Sequence, residues 1–504
     1  MILSRYNLKN ISAQDIETPA DSVFDLPEKV LQFGTGVLLR GLPDYFIDKA
    51  NRQGVFNGRV VVVKSTDSDS SAFDKQDGLY TQCVRGLDNG KKVEENIINS
   101  SISRVLSAKD EWSEILKCAH NPNMQIIISN TTEVGIQLVQ DDVHRLPPVS
   151  FPGKLLAFLL ERYKAFDGSR QSGMVIVPTE LIPDNGKKLE SIVLELAHLN
   201  GLDDTFIAWL ENCNYFCSSL VDRIVPGKPD SAIREQLEKQ FGYKDELLTM
   251  SEVYCLWAIE GGEHIKSVLT FASVDEGVVI APDINLFREL KLRMLNGTHT
   301  LSCGLAYLAG FGTVKQAMDD SNMQTFIARL MLNEIATGIP YDVDHEVAHT
   351  FGNKVLDRFA NPNIEHYWIN ITMQYTSKMK MRNVPVILKY AERMKSVPEN
   401  IALGFAAYLL FLKPIKKKQD KFYGEWQGKE YVIQDDFAAY FEEKWSRLTP
   451  AQVADEVMAD TVLWGADLSG IPGFVQAVKD NLASLIETGI TKTIQIHQTK
   501  KVLA

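Results

Sequence analysis

Residues 29–41 read Lys-Val-Leu-Gln-Phe-Gly-Thr-Gly-Val-Leu-Leu-Arg-Gly and set the architecture of the N-terminal half. The first five residues predict a short buried strand, Gly34-Thr35-Gly36 a tight turn, and the following residues a helix as far as Ile47. This order is typical of dinucleotide-binding folds, because the glycines let the backbone approach a pyrophosphate at a helix N-terminus. The third glycine is displaced to Gly41, so an ordinary tight turn is the alternative interpretation.

A second predicted strand favours the dinucleotide-binding interpretation, because residues 60–63 are four consecutive valines. Such runs are typical of parallel strands that are buried on both faces. The strand leads into Lys64-Ser65-Thr66-Asp67. An acidic side chain in this region binds the ribose hydroxyls of NAD, which makes Asp67 the candidate, whereas Lys64 would favour a 2′-phosphate. We expect NAD as the cofactor.

Polar clusters follow two later predicted strands. Residues 124–129 are followed by Asn130-Thr131-Thr132-Glu133, and residues 173–177 by a loop that ends in Asn185-Gly186. Because ligands of open α/β sheets bind at the carboxyl ends of strands, both clusters are candidate walls of a cofactor cleft. A helix start capped by Thr131 and Thr132 is the alternative for the first cluster. The predicted cofactor-binding residues are Phe33, Gly34, Thr35, Gly36, Val37, Leu38, Asp67, Asn130 and Thr131.

The character of the sequence changes near residue 280. Before it, strand and helix patterns alternate, with a predicted hairpin around Asp88-Asn89-Gly90 that we interpret as an insertion. After it, helical periodicities dominate. The sequence therefore predicts a Rossmann-type α/β domain with a parallel-rich sheet over residues 1–280, and a mostly α-helical domain over residues 281–504.

Residues 291–299, Lys-Leu-Arg-Met-Leu-Asn-Gly-Thr-His, open the helical half after a break at Pro282-Asp283. On an α-helix Asn296 and His299 lie about 60° apart around the axis, and Lys291 lies within about 140° of both. A lysine, an amide and an imidazole on one face can handle a proton on an alcohol or carbonyl oxygen. The alternative interpretation is a solvated helix start that carries ordinary polar residues.

Composition limits the partners. The chain has 504 residues, 45% hydrophobic and 23% charged, with a net charge of −12. This acidity disfavours nucleic acid and membrane surfaces but permits a small anionic substrate. The six sparse cysteines and the lack of an apolar signal segment near Met1 predict a cytoplasmic protein with reduced thiols. The sequence leaves the oligomeric state open and is compatible with a monomer.

Several segments, taken in order, resemble the polyol-specific long-chain dehydrogenases, which include mannitol dehydrogenase and the hexuronate reductases. The resemblance implies NAD-linked, metal-independent reduction of a keto-hexuronate such as tagaturonate, with the active site between the two domains. Fructuronate and mannitol are the neighbouring substrates that it leaves open. The matching segments are Gly34-Thr35-Gly36, Ser129-Asn130-Thr131-Thr132-Glu133, Val221-Asp222-Arg223, Lys291…Asn296…His299, residues 358–364 and residues 377–382.

The resemblance also implies residue roles. Lys291 is the general acid and base, Asn296 stabilises the oxyanion, and His299 orients the substrate or the lysine. A free lysine has a pKa of about 10.4, so burial or a cationic neighbour such as Arg293 is expected to lower it. A second set of candidates comprises Asn185 as a further oxyanion amide, Asp222 as a substrate-binding residue, and Lys378 with Arg382 as a clamp for the substrate carboxylate.

One motif favours a different class of enzyme. His345-Glu346-Val347-Ala348-His349 matches the His-Glu-x-x-His pattern of zinc hydrolases, in which two imidazoles hold the metal and the glutamate activates water. Glu365 lies where a third ligand is needed. The alternative is a helix with polar residues on its exposed side. Because the dehydrogenase resemblance runs through this region without a metal, we predict no metal site.

Overall fold

The computed structural model describes residues 1–12, 14–66, 69–132 and 134–500. The chain divides into two compact units. Unit 1 comprises Met1–Gly86 and Lys92–Ile284, and unit 2 comprises Leu87–Lys91 and Asn285–Ala504. The division at Ile284 lies close to the boundary predicted near residue 280, and the tip of the predicted hairpin is grouped with unit 2.

Unit 1 is built on a six-stranded parallel sheet in the order β5-β2-β1-β6-β7-β8. This is the strand order of dinucleotide-binding folds, and the order reverses between β1 and β6. The predicted fold class is confirmed. The first twelve strands are β1 (Glu28–Phe33), β2 (Arg59–Lys64), β3 (Tyr80–Asp88), β4 (Lys91–Asn99), β5 (Ile102–Ser107), β6 (Ile126–Ser129), β7 (Val175–Pro178), β8 (Tyr215–Phe216), β9 (Ser219–Asp222), β10 (Thr249–Glu252), β11 (Leu256–Glu260) and β12 (Val278–Ala281).

Both faces of the parallel sheet are buried, as the valine run predicts. Val61 and Val63 pack into one apolar cluster, whereas Val60 and Val62 pack into another. Two smaller, three-stranded sheets have the orders β10-β3-β4 and β12-β11-β9. The α-helices of unit 1 are Val37–Gly41, Pro43–Arg52, Ser71–Lys75, Trp112–Cys118, Phe151–Ala165, Asn185–Leu199, Asp204–Cys213, Ser231–Phe241 and Glu263–Val268; its 3₁₀ turns are Arg5–Asn10, Asp21–Asp25, Arg170–Ser172 and Thr270–Val274.

The helix predicted to follow the glycine turn is broken. Val37–Gly41 ends at Leu42, whose φ of −131° and ψ of −77° lie outside the helical region, and a new helix begins at Pro43. The break follows from chemistry, since proline lacks an N–H donor and disfavours helical geometry in the preceding residue. The helix pattern itself was predicted correctly, but the interruption was not.

Unit 2 packs around one apolar helix, Glu399–Phe411, in which every residue from Asn400 onward is buried. A helix that is apolar all round belongs in the interior of a helical assembly. The buried Glu334 carboxylate accepts hydrogen bonds from the amides of Asn400 and Ile401, and so caps the start of this helix. Helices Thr298–Leu308 and Phe474–Glu487 pack against its sides.

The remaining elements of unit 2 are mostly helical. The α-helices are Asn285–Leu290, Thr298–Leu308, Val314–Asp319, Ser321–Arg329, Ala336–Gly338, His345–Phe359, Trp368–Ile371, Tyr375–Lys378, Val384–Met394, Glu399–Phe411, Ala438–Arg447, Pro450–Met458, Thr461–Trp464, Phe474–Glu487 and Ile490–Lys500; three π-helical stretches are Lys291–Gly297, Leu330–Ile335 and Met379–Asn383. An antiparallel sheet of β13 (Lys416–Lys418), β14 (Lys421–Trp426) and β15 (Lys429–Ile433) was not predicted.

All six cysteines are free thiols. Across the described part of the chain, no helix combines the length and the apolar character that a bilayer crossing requires.

Candidate functional site

The glycine turn in unit 1 lies at the carboxyl end of β1. Gly34 has a φ of +127°, and a Cβ at this position would lie 2.9 Å from the backbone oxygen of Asn130. Only glycine fits such a conformation and such a contact without strain. Gly36 differs, because a Cβ there meets nothing within 4 Å, so space is open beside its backbone. These features fit a backbone that a pyrophosphate can approach.

The displaced third glycine serves packing. A Cβ on Gly41 would lie 2.7 Å from the Val225 side chain, so the helix after the turn lies close to the segment that follows β9. Close helix packing is the role of the third glycine in dinucleotide-binding turns.

Asn130 and Thr131 lie beside the turn, at the carboxyl end of β6 where the strand order reverses. The Asn130 amide donates to the Thr179 carbonyl and hydroxyl oxygens, at 3.2 and 3.0 Å. The buried Glu180 carboxylate accepts from the Thr131 amide and hydroxyl. Among the residues described here, no helix begins between β6 and Phe151, so the capping alternative is wrong, and the polar cluster joins the ends of β6 and β7. Glu180 was not singled out by the sequence.

The candidate for the ribose hydroxyls, Asp67, lies outside the described residues, and its assignment stays a prediction. Phe33, Thr35, Val37 and Leu38 lie in or beside the glycine turn as predicted. Phe33 is buried, and its carbonyl accepts a hydrogen bond from the backbone N–H of Asn130. This bond joins the ends of β1 and β6.

Asn185 does not have the environment of a catalytic amide. It is fully buried at the start of its helix, and its Nδ2 donates to the carbonyls of Pro178, Glu180 and Ser219. Its Oδ1 accepts from the amides of Gly186 and Ser219. The side chain is saturated with backbone contacts that fix the loop after β7, and we correct its assignment to a structural one. Asp222 is buried at the end of β9.

In unit 2, the α-helical geometry expected for residues 291–297 is wrong. Lys291–Gly297 is a π-helix, which we call the Lys291 turn, and the α-helix resumes at Thr298. In π geometry residue i is bonded to residue i+5, so Lys291 and Asn296 start from the same side of the turn. The two residues are therefore better aligned than the 140° separation of an α-helix allows. Both side chains are half-buried.

Arg293, the cationic neighbour expected beside Lys291, is engaged with other groups. Its guanidinium is buried, is paired with Glu289 through Nε at 2.9 Å, and donates through Nη1 to the carbonyls of Met381 and Arg382. Its charge is compensated by Glu289, and its donors are directed at another segment. Lys378 and Arg382 are the cationic candidates that remain near this turn.

His299 is buried in a group of rings. Its imidazole stacks on Phe359 at 4.0 Å between centroids and meets His366 and Trp368 edge-on. Burial, followed by the charges of His366 and Arg358, holds its pKa well below the ordinary value, so the imidazole is neutral. Its Nδ1 is buried without a hydrogen-bond partner among the described residues. The sequence did not single out His366 or Trp368.

Lys378 and Arg382 lie on or beside the π-helical stretch Met379–Asn383, which we call the Arg382 turn. Arg382 donates through Nη1 to the Thr300 hydroxyl at 3.1 Å and to the Asn296 carbonyl at 3.4 Å. Lys378 is half-buried, and burial together with the neighbouring Arg382 charge lowers its pKa. The structure thus brings Arg382 of the predicted carboxylate clamp to the segment that carries Asn296, whereas Lys378 donates to the Ile371 carbonyl.

The zinc-hydrolase pattern is not assembled as a metal site. His345 and Glu346 are exposed at the start of helix His345–Phe359, where Asp344 caps the first turn. The rings of His345 and His349 stack at 4.0 Å between centroids. The described residues contain no group of three or more histidine, cysteine or acidic side chains placed to hold a metal ion. The exposed polar helix face is the interpretation that these positions support.

Comparison with known proteins identifies the class. The family model described as the mannitol dehydrogenase Rossmann domain matches residues 28–270, and that of the mannitol dehydrogenase C-terminal domain matches residues 283–486. An altronate oxidoreductase of Bacillus subtilis is 38% identical over 481 residues, covering 94% of this chain and 96% of that protein. One from Halalkalibacterium halodurans is 35% identical over 480 residues, covering 93% of each.

Two solved structures share the fold. D-sorbitol dehydrogenase in substrate-free form superposes with a TM-score of 0.75 at 20% identity, covering 98% of this chain and 100% of that one. Pseudomonas fluorescens mannitol 2-dehydrogenase, in a ternary complex with NAD and D-mannitol, gives a TM-score of 0.65 at 23% identity over 99% and 100%. The fold and the glycine turn define a dinucleotide-binding oxidoreductase. The chain belongs to the mannitol dehydrogenase family.

Proposed function

We propose that the protein is an NAD-linked oxidoreductase that interconverts D-tagaturonate and D-altronate. The observation that carries this proposal is the similarity to altronate oxidoreductases along nearly the whole chain, with identities of 33–38%. The site residues in unit 2 add chemical support, since a lysine and an amide share one face of the Lys291 turn and a basic pair lies on the neighbouring segment.

The glycine turn of unit 1 fits a dinucleotide. The open space beside Gly36 and the positive φ of Gly34 occur where the sheet order reverses, which is where such folds hold pyrophosphate. NADH, when bound, supplies the hydride that reduces the substrate ketone. Asp67, if it binds the ribose hydroxyls, would favour NAD over NADP.

The side chains of unit 2 provide for the proton and the developing charge. Lys291 donates a proton to the oxygen of the reduced ketone and removes it in the reverse direction. Asn296 donates a hydrogen bond to the same oxygen while it carries negative charge. Neutral His299, held by its aromatic neighbours, orients the substrate without adding a competing cation.

A carboxylate distinguishes the proposed substrate from a simple ketose. Lys378 and Arg382 supply positive charge on one segment, and a guanidinium binds a carboxylate in bidentate fashion. Asp222, which is buried at the end of β9, is a further candidate for a substrate hydroxyl. The expected substrate is therefore a keto-hexuronate rather than fructose.

The test is NADH oxidation by the purified protein with D-tagaturonate, D-fructuronate and D-fructose. We expect kcat/KM for tagaturonate to exceed that for fructose by more than roughly a hundredfold, because a site built for a polar group rejects an analogue that lacks it. Preference for fructuronate or fructose would move the protein to a neighbouring activity of its family. No turnover of any of the three would refute the proposal.

A further inference from the structure

The Lys291 turn and the Arg382 turn are joined by hydrogen bonds in both directions. Arg293, in the Lys291 turn, donates to the carbonyls of Met381 and Arg382 at 2.6 and 2.9 Å. Both acceptors belong to the Arg382 turn, so one guanidinium spans two successive carbonyls of the opposite segment. π-helical stretches depart from the regular i→i+4 ladder, and side-chain donors can satisfy carbonyls in them.

The reverse contacts come from the Arg382 turn. Arg382 donates to the Asn296 carbonyl at 3.4 Å, and Asn383 donates through Nδ2 to the Gly297 carbonyl at 3.3 Å. Each turn therefore supplies donors to the backbone of the other. We call these four residue-to-backbone contacts, made by Arg293, Arg382 and Asn383, the clasp.

The clasp is buried and closely fitted. Arg293 is 7% exposed and Asn383 is fully buried, so both are shielded from competing water. Glu289 fixes the Arg293 guanidinium from the preceding helix at 2.9 Å. A Cβ on Gly297 would lie 2.7 Å from Asn383 Oδ1, so glycine permits the close approach. Buried, charge-assisted contacts of this kind define a geometry more firmly than exposed ones.

We propose that Arg293 and Asn383 are positioning residues that hold the proton-transfer pair in register with the basic pair. The inference rests on the proposed function. Lys291 and Asn296 flank Arg293 in one turn, and Lys378 and Arg382 lie on the adjoining one. The spacing between the proton donor and the carboxylate-binding charges is then set by the clasp, and neither positioning side chain needs to touch substrate.

Kinetics test this role with Arg293→Lys, which keeps the charge but has no second nitrogen to pair with Glu289 while the first donates to the two carbonyls. We expect kcat to fall about 10- to 100-fold, because small misplacements of reacting groups have effects of that size, while KM for NADH stays unchanged. Arg393→Lys is the matched control, since Arg393 also donates to a carbonyl, that of Thr337, outside the clasp. A kcat for Arg293→Lys equal to that of the control would overturn the proposal.

Amide hydrogen exchange supplies a readout that does not depend on activity. In Arg293→Lys we expect faster exchange at residues 379–383, and in Asn383→Ala at residues 291–297, with the rest of unit 2 unchanged. Exchange that rises throughout unit 2, or in neither segment, would contradict a local clasp. If the wild-type protein turns over no keto-hexuronate, the proposed function fails while this exchange pattern still decides whether the clasp exists.

Discussion

The glycine turn of unit 1 and the Lys291 turn of unit 2 are built in opposite ways. The first is defined by regular elements, with a parallel sheet of known strand order and one glycine at a φ of +127°. The second is an irregular helix that is joined to a distant segment by the buried side chains of Arg293 and Asn383. The comparison teaches that a backbone-defined site can be inferred from local sequence, whereas a contact-defined site needs the tertiary structure.

Two asparagines make the same contrast. Asn185 and Asn296 are both amides that the sequence proposes for the oxyanion. The Asn185 side chain forms hydrogen bonds with five backbone groups, and it is fully buried. Asn296 is half-buried on the face that it shares with Lys291. An amide that already satisfies the backbone cannot turn to a substrate without leaving buried groups unpaired.

The largest expected effect comes from a substitution in the Lys291 turn. Lys291→Met removes the proton donor, and we expect kcat for tagaturonate reduction to fall by roughly a thousandfold or more. NADH binding, followed by fluorescence titration, should be unchanged because the glycine turn belongs to unit 1. Retention of near-normal kcat would show that the proton comes from elsewhere.

Two substitutions in the glycine turn of unit 1 test whether its backbone geometry requires glycine. Gly34→Ala forces a side chain into a positive-φ position and against the Asn130 oxygen, so we expect a loss of roughly 2–4 kcal/mol in the free energy of unfolding. Gly36→Ala meets no atom within 4 Å and should leave stability unchanged while weakening NADH binding. Urea denaturation and NADH titration of both variants measure this. Equal stability of the two would contradict the account.

We expect the basic pair, Lys378 and Arg382, to contribute to substrate affinity. Lys378→Met should raise KM for the keto-hexuronate about 10-fold and leave KM for NADH unchanged, because it removes one of the two charges proposed to bind the substrate carboxylate. Lys380→Met is the matched control, since Lys380 is exposed and donates to the Val462 carbonyl. A parallel rise in both KM values in Lys378→Met would remove this residue from the substrate site.

The smallest effect concerns pH. Burial, and then the charges of Arg358 and Lys378, lowers the pKa of His366 to about 4. The folded state therefore keeps His366 neutral while the unfolded chain binds a proton below about pH 6.5, so this contribution to stability is complete above 6.5 and is lost as pH falls toward 4.

Removing the His366 imidazole should make the free energy of unfolding less dependent on pH. Between pH 7.5 and 5.5 we expect the wild-type protein to lose about 1.4 kcal/mol of unfolding free energy that His366→Phe does not lose. Urea denaturation at the two pH values, with His120→Phe as an exposed control, measures the difference. An identical loss in the wild type and His366→Phe would rule out a titrating His366.

Much of the fold could be predicted because it follows from local patterns. The valine run at 60–63, the glycine turn and the helical periodicities after residue 280 specify their elements through burial and backbone preference. The break at Leu42 was also encoded, by Pro43, but was overlooked. The sheet β13–β15 was missed, because its short strands are interrupted by turns and rich in lysine.

The site was predicted in its residues but not in its geometry. The positions of Lys291, Asn296, Lys378 and Arg382 follow from motifs. Local spacing shows neither the π-helical form of the two turns nor the contacts that join them across more than eighty positions. The same limit applies to the roles expected for Arg293 and Asn185. Nothing in local spacing reveals that Arg293 bridges two turns or that Asn185 donates to three backbone carbonyls.

The most direct test of the central claim is a crystal structure of the protein with NAD and D-altronate. We expect Lys291 Nζ and Asn296 Nδ2 both to lie within about 3.2 Å of the alcohol oxygen that loses its proton. A complex in which the alcohol oxygen contacts neither group would contradict this expectation.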